Sequence, residues 1–248
     1  MGTPTCTIIL PTYKEAGNIG NMAERLRELY PEFYILIMDD NSDDGSKELI
    51  EEMNDSMITF VERDPADRGL SASILQGILD AKTDFFINMD SDFQHPPEAV
   101  ADAYAALKNG ADLCIGIREE RTALSFVRWV ASWGAHALAM TTLWLRDKKG
   151  SKDIMSGFFG GRTELYQNVI REYSDEMDHR GFKALFDLLK FGPSDVRIDE
   201  VMFKFGKREA GESKINKNVM ISILGQCEPF GKPLAKIAKK FTVDRKRT

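Results

Sequence analysis

Phe85-Phe86-Ile87-Asn88-Met89-Asp90-Ser91-Asp92-Phe93-Gln94-His95-Pro96-Pro97-Glu98 decides how this chain is read. A short apolar run ends abruptly in carboxylates and is followed by prolines, the pattern of a buried strand that delivers polar side chains into a loop. Pro97 is placed where a first helical turn tolerates proline, so a helix is expected to start there. Strand, acidic turn and helix together make one βα unit.

The same unit recurs toward the N-terminus. Apolar runs at 5–10, 34–38, 57–61 and 112–116 read as further strands, and helix-period stretches at 19–30, 46–53, 70–81 and 97–109 lie between them. Leu70, Ile74, Leu75, Ile78 and Leu79 keep one apolar face at helical spacing. Alternating β and α predicts an α/β fold with a mainly parallel central sheet flanked by helices. After Gly116 the alternation fails, and a long helix at 124–145 is followed by a glycine-rich stretch and short elements. One domain is expected over 1–231, with a nucleotide-binding half at about 1–116 and an acceptor-binding half at 117–231.

Composition bounds the rest. The chain has 248 residues, 43% of them hydrophobic and 29% charged, enough for one sizeable core. No run approaches the ~18–20 apolar residues of a membrane span, and residues 1–4 lead into a strand without a secretory segment, so a peripheral protein on the cytoplasmic side of a membrane is expected. Cys6, Cys114 and Cys227 form no CxxC pair and are read as structural. The net charge is −6, but seven Lys and Arg against Asp244 give residues 232–248 a formal +6 and leave −12 on the remainder. A basic tail suits an anionic membrane surface, and equally a solvated chain end. No nucleic-acid partner is expected.

In open α/β sheets ligands bind beyond the carboxyl ends of the strands, where two acidic clusters fall. Asp39-Asp40-Asn41-Ser42-Asp43-Asp44-Gly45-Ser46 follows the second strand, and residues 90–98 follow the fourth. Crowded carboxylates repel unless a cation fills the gap, and Mg2+ or Mn2+ takes oxygen ligands shared with substrate phosphates. Asp90, Asp92 and Gln94 alternate at i, i+2 and i+4; an extended backbone would aim all three the same way. A lone D-x-D is more often a surface turn, but the preceding strand, Gln94 and the first cluster favour a metal and diphosphate site. His95 reads as a packing or orienting residue.

With these motifs together the sequence resembles the dolichol-phosphate mannose synthases, inverting glycosyltransferases of the GT-A fold, over residues 5–215. Pro11-Thr12-Tyr13-Lys14-Glu15 resembles P-T-Y-N-E, residues 39–46 resemble D-D-x-S-x-D-G-T, and Arg68-Gly69-Leu70-Ser71-Ala72 with Gly77 resembles G-L-x-x-A. Residues 90–98 resemble D-A-D-x-Q-H-P-P-E; Gly116-Ile117-Arg118 resembles G-S-R; Asp153-Ile154-Met155-Ser156-Gly157-Phe158-Phe159 resembles D-P-M-S-G-F-F; residues 205–214 resemble F-x-x-R-x-x-G-E-S-K. The resemblance implies that Pro11, Tyr13, Glu15, Asp39 and Asp40 contact the nucleotide, that Ser91 lines the donor site, and that Asp90, Asp92 and Gln94 hold Mg2+ or Mn2+ against the diphosphate. It implies that Arg118, Arg208 and Lys214 engage phosphates, and with Asp92 form the catalytic set. Lys14 and Ser91 depart from the family pattern, where Asn and Ala are usual, and leave the donor's identity open.

A phosphate monoester acceptor, with a second pKa of about 6, arrives ionised and needs no general base. It needs cations instead. Residues 122–146 contain no acidic side chain, and Arg128 and Ser132 stand four apart on one helix face. In the resembling family an Arg and a Ser at this spacing hold the acceptor phosphate. The same helix carries Phe126, Val130, Trp133, Ala137, Met140 and Trp144 in steps of four and three, a stripe suited either to core packing or to lying in a bilayer interface.

The function expected is transfer of a sugar, mannose from GDP-mannose, to dolichyl or another polyprenyl phosphate with inversion, at a membrane surface and with a membrane partner subunit as one route to the lipid. Alternatives are a UDP-sugar donor supplying glucose or N-acetylglucosamine, or a hydroxyl acceptor. A nucleotidyltransferase would need a glycine-rich phosphate loop after the first strand, which residues 10–20 do not supply, and a non-catalytic subunit would have lost its ligands.

Overall fold

A computed structural model describes residues 5–119, 126–177 and 184–206; of residues 126–135 it describes the backbone alone. The strands are β1 (Cys6–Thr12), β2 (Tyr34–Asp39), β3 (Ile58–Glu62), β4 (Phe85–Asn88), β5 (Leu113–Arg118), β6 (Phe159–Arg162) and β7 (Ile198–Phe203). They form one sheet in the order β3-β2-β1-β4-β6-β5-β7. Strands β1 to β4 pair in parallel, β6 runs antiparallel to both β4 and β5, and β7 is parallel to β5. Six strands therefore point the same way, and their carboxyl ends share one edge.

Helices α1 (Ala16–Leu29), α2 (Ser46–Glu52) and α4 (Ala99–Lys108) cover one face of the sheet; α3 (Leu70–Asp80), α5 (Phe126–Leu145), α6 (Thr163–Tyr173) and α7 (Ala184–Phe191) cover the other. Strand alternation makes this possible: Ile8, Leu10, Ile35 and Ile37 point to the first layer, Ile9, Leu36 and Met38 to the second. Each such side chain, fully buried, contributes roughly 1.5–3 kcal/mol of transfer free energy. At Gly77 an added Cβ would stand 2.7 Å from Ile9, so glycine lets α3 lie close on β1.

The βα alternation holds through β5; four of these strands end one or two residues beyond the expected bounds, β1 reaching Thr12 and β5 Arg118, whereas β4, expected over 85–89, ends at Asn88. Strands β6 and β7 and helices α6 and α7 extend the same sheet and layers into the second half. In α5, Ala139, Thr142 and Leu143 face the core while Trp144 is 76% exposed. At the described end of the stripe Met140 packs against the core and Trp144 alone points away from the protein. No helix among the described residues is long and apolar enough to cross a membrane.

Candidate active site

The sheet's carboxyl edge collects the motifs. Tyr13 follows β1, Asp40 to Ser46 follow β2, Arg63 follows β3, Asp90 to His95 follow β4, Arg118 ends β5 and Phe205 follows β7. The stretch 153–158 enters the same edge just before β6.

The Asp90 turn is not extended. Phe93 has φ +62°, in the left-handed region, and the Gln94 N–H donates to Asp92 Oδ1 at 3.1 Å. The i, i+2, i+4 argument for three side chains on one side therefore fails; a folded Asx-type turn presents Asp90, Asp92 and Gln94 instead. The Asp90 carboxylate is 37% exposed, whereas Asp92 is buried. Gly157 lies opposite: a Cβ there would stand 3.4 Å from both Asp90 carboxylate oxygens and 3.1 Å from the His95 ring, so glycine keeps space in front of the carboxylate. Asn88, fully buried below, donates to the Gly157 carbonyl at 2.7 Å while its own Oδ1 has no partner among the described residues. His95 Nδ1 accepts the Asp90 N–H at 3.0 Å, which requires the neutral ring with its proton on Nε2. Phe158, Phe203 and Phe205 surround that ring, and His95 is an orienting residue.

Among the described residues no three His, Cys, Asp or Glu side chains converge on one point. Asp90 nevertheless offers hard oxygen donors beside the space that Gly157 leaves, with the buried Asp92 two residues on in the same turn. This fits Mg2+ or Mn2+, which take one or two carboxylates and complete their shell with substrate phosphate and water.

Asp39 and Asp40 are both buried and both hydrogen-bonded within the protein. Asp39 accepts from Thr12 Oγ1 at 2.9 Å and from the Ser42 N–H and Oγ at 2.6 and 2.7 Å. Asp40 pairs with the buried Arg63 guanidinium, and also accepts from Ser73 Oγ at 2.9 Å and the Gly69 N–H at 3.0 Å. These bonds make both aspartates fasteners of the loops that frame the site. Asp44 does similar work, accepting from the first N–H of α1, Ala16, at 2.9 Å and from the first N–H of α2, Ser46, at 3.2 Å, with the Ser46 hydroxyl at 2.7 Å, and so satisfies both helix starts together. Burial pushes its carboxyl up, but the bonds from Ser46 and Ala16 outweigh that and hold it below its usual range. Glu15 accepts from Asn18 Nδ2 at 2.8 Å at the start of α1. Pro11 lies within β1 and is buried; Ser91 is buried in the Asp90 turn.

Arg118 donates through Nε and Nη2 to Asp153 Oδ2, at 3.3 and 3.0 Å, and lies over the Phe205 ring, 5.2 Å from its centroid. Ser156 staples this corner by donating to the Gly116 carbonyl at 2.8 Å. The partners Asp153, Arg63 and Asp44 were not singled out from sequence. Asp153 heads a quoted motif, but only the fold shows that it holds Arg118. Arg128 and Ser132 fall in the first turns of α5, where side chains are not described, and Arg208, Lys214, Cys227 and residues 232–248 lie outside the described residues.

Residues 7–170 match glycosyl transferase family 2. The chain is 32% identical to the dolichol-phosphate mannosyltransferase of Mycosarcoma maydis, over 90% of this chain and 78% of that one. It is 30% identical to the Saccharomyces cerevisiae enzyme of the same name, over 90% and 85%. The Pyrococcus furiosus dolichol-phosphate mannosyltransferase is 32% identical over 88% of this chain, but this chain spans 61% of its length. Among solved structures, the glucosyl-3-phosphoglycerate synthase of Mycobacterium tuberculosis with Mn2+, UDP-glucose and glycerol 3-phosphate superposes with a TM-score of 0.61 at 17% identity, covering 90% of this chain and 80% of that one. The mannosyl-3-phosphoglycerate synthase of Rubrobacter xylanophilus gives 0.62 at 12%, covering 90% and 72%. The fold is GT-A.

Proposed function

Because the chain belongs to glycosyl transferase family 2 and, within it, to the dolichol-phosphate mannosyltransferases, we propose that it moves mannose from GDP-mannose to dolichyl or another polyprenyl phosphate, with inversion. The observation that carries this reading is the meeting, at one sheet edge, of the Asp90 turn, the Arg118–Asp153 pair and the exit of β7 at Gly206. The half at 1–116 takes the nucleotide sugar and the half at 117–231 the acceptor. The relatives' names supply the sugar and the lipid phosphate; a structural neighbour solved with Mn2+ and a nucleotide sugar supports a divalent cation at Asp90, Asp92 and Gln94.

In the step itself a phosphate oxygen of the acceptor bonds to the anomeric carbon on the face opposite the diphosphate. The bond from that carbon to the diphosphate oxygen breaks, and the nucleoside diphosphate leaves with the electron pair. No proton moves, because the acceptor is already ionised. A bound cation would neutralise charge on the diphosphate. Asp153 fixes the direction of the Arg118 guanidinium, which provides charge at the end of β5, while Arg208 and Lys214 act on the leaving nucleotide and Arg128 and Ser132 on the acceptor phosphate. Trp144 and Leu145, exposed at the end of α5, would meet the bilayer together with the basic segment 232–248.

Purified protein incubated with dolichyl phosphate and, in parallel, radiolabelled GDP-mannose, UDP-glucose and UDP-N-acetylglucosamine should give labelled lipid from GDP-mannose. Transfer from a UDP-sugar instead would replace the donor assignment, and no labelled lipid from any donor would overturn the reading.

A further inference from the structure

Strand β4 is apolar except at its last residue, Asn88. That side chain is as fully buried as those of Phe86 and Ile87, and its neighbours across the sheet are Ile9 of β1 and Phe159 of β6, both in the core. An amide in such a setting has lost its water and must find partners within the protein. Asn88 uses its donor, Nδ2 to the Gly157 carbonyl at 2.7 Å, and leaves Oδ1 without a partner among the described residues. An apolar side chain here would leave no buried side-chain acceptor unsatisfied, so core stability does not account for the amide.

What the amide holds is the wall facing Asp90. The antiparallel ladder of β4 and β6 stops at the pair Asn88 and Phe159. Past that point the chain reaches Gly157, where a Cβ would stand 3.4 Å from both Asp90 carboxylate oxygens. The Asn88 side chain takes over where the ladder ends and fastens the Gly157 carbonyl to the strand that delivers Asp90. On its other side the stretch is fastened to β5: Ser156 donates to the Gly116 carbonyl at 2.8 Å, and the Gly116 N–H donates to the Phe158 carbonyl at 2.8 Å. The distance from this wall to Asp90 is therefore set by β4, through Asn88.

We propose that Asn88 is a positioning residue of the cation site: by holding the Gly157 carbonyl it fixes the width of the gap before the Asp90 carboxylate, which must admit a divalent cation together with a diphosphate. Mg2+ takes its oxygen ligands at about 2.0–2.1 Å in near-ideal octahedral geometry, so a wall that shifts changes how well the cation is completed. The role rests on the proposed reading of Asp90 and Asp92 as a cation site and adds to it a buried residue behind the ligands.

The test is calorimetric titration of the full chain with GDP and with UDP, each in Mn2+ and in EDTA, for wild type, Asn88→Val and Asn88→Thr. The quantity read is the factor by which Mn2+ tightens the nucleotide that wild type binds better. Val removes the donor and the unpartnered acceptor together; Thr has the shape of Val and a hydroxyl that can donate. Asn88→Val should lower the factor about tenfold, the low end for residues behind a metal's direct ligands, while affinity in EDTA changes less than about threefold. Its melting temperature should stay within about 4 °C of wild type or rise. Asn88→Thr should keep more of the factor than Asn88→Val does. An unchanged factor in Asn88→Val, equal losses in Mn2+ and EDTA, a melting temperature lowered further than that, or identical losses in Val and Thr would overturn the role of Asn88 and leave the proposed function standing. If wild type bound nucleotide equally well in Mn2+ and in EDTA, the cation reading itself would fall, and the role of Asn88 with it.

Discussion

The Gly206 N–H donates to the Gln94 carbonyl at 2.9 Å, tying the exit of β7 to the turn that carries Asp90 and Asp92. A Cβ at Gly206 would collide with the Phe93 carbonyl oxygen and come within 3.5 Å of the Gln94 Cα, both backbone atoms that cannot swing aside. Phe93 already holds a left-handed φ that tolerates little further distortion. Gly206→Ala is expected to displace the turn at a cost of about 1–3 kcal/mol, the usual range for overpacking. Its signature would be weaker Mn2+ binding with nucleotide present and a lower kcat, measured against a control substitution at exposed Lys152.

Asp40 separates two readings of the acidic motif at 39–46. If it only touched the nucleotide, Asp40→Ala would weaken binding and leave folding alone. Instead the Arg63 side chain is 1% exposed and Asp40 is its buried counter-charge, so removing that carboxylate leaves the cation with only the half-exposed Asp67, at 3.2 Å, as an ionic partner. Urea denaturation of Asp40→Ala should show a loss of about 1–3 kcal/mol, short of the ~3–5 kcal/mol of a fully uncompensated buried charge.

Asp44 should give stability a specific pH dependence. Its folded-state carboxyl lies below its ordinary 3.8, so its contribution is fully present above that value and is lost as pH falls through the depressed folded value. Asp44→Ala should cost about 1–2 kcal/mol at pH 7 through two lost caps, and the gap to wild type should close in acid. Asp44→Asn keeps one acceptor oxygen but turns its N–H2 toward the other helix start, so it should lose part of the stability at neutral pH while flattening the acid limb.

Arg118 is held in place by Asp153 and by Phe205. Asp153→Asn keeps the shape and one acceptor but removes the charge that orients the guanidinium. Steady-state kinetics should show kcat falling about tenfold or more with KM for the donor changed little, as expected where a group acts on the transition state. A matched rise in KM alone would place Arg118 in ground-state binding.

Much of this was legible in the sequence where a period or a motif encodes the structure. The βα alternation through residue 118 and the collection of acidic clusters at one edge follow from local patterns. Strand β6 did not announce itself because Phe159-Gly160-Gly161-Arg162 has little strand propensity. Its glycines are demanded from outside, since a Cβ on Gly160 would stand 2.6 Å from the Phe86 carbonyl oxygen and one on Gly161 2.8 Å from the Tyr166 ring. Strand β7 carries Asp199 and Glu200 in a half-buried edge position, which masks its alternation. The shape of the Asp90 turn depends on a single left-handed Phe93, and spacing alone cannot reveal that. Nor could the motif 39–46 disclose that Arg63, twenty-odd residues on, would occupy Asp40.

The central claim is that the nucleophile is a lipid phosphate that needs no general base. Its most direct measurement is transfer from radiolabelled GDP-mannose to dolichyl phosphate and to dolichol, side by side with the same protein and Mn2+. Labelled lipid is expected with dolichyl phosphate and none with dolichol; product from dolichol, or none from dolichyl phosphate, would contradict a lipid-phosphate nucleophile.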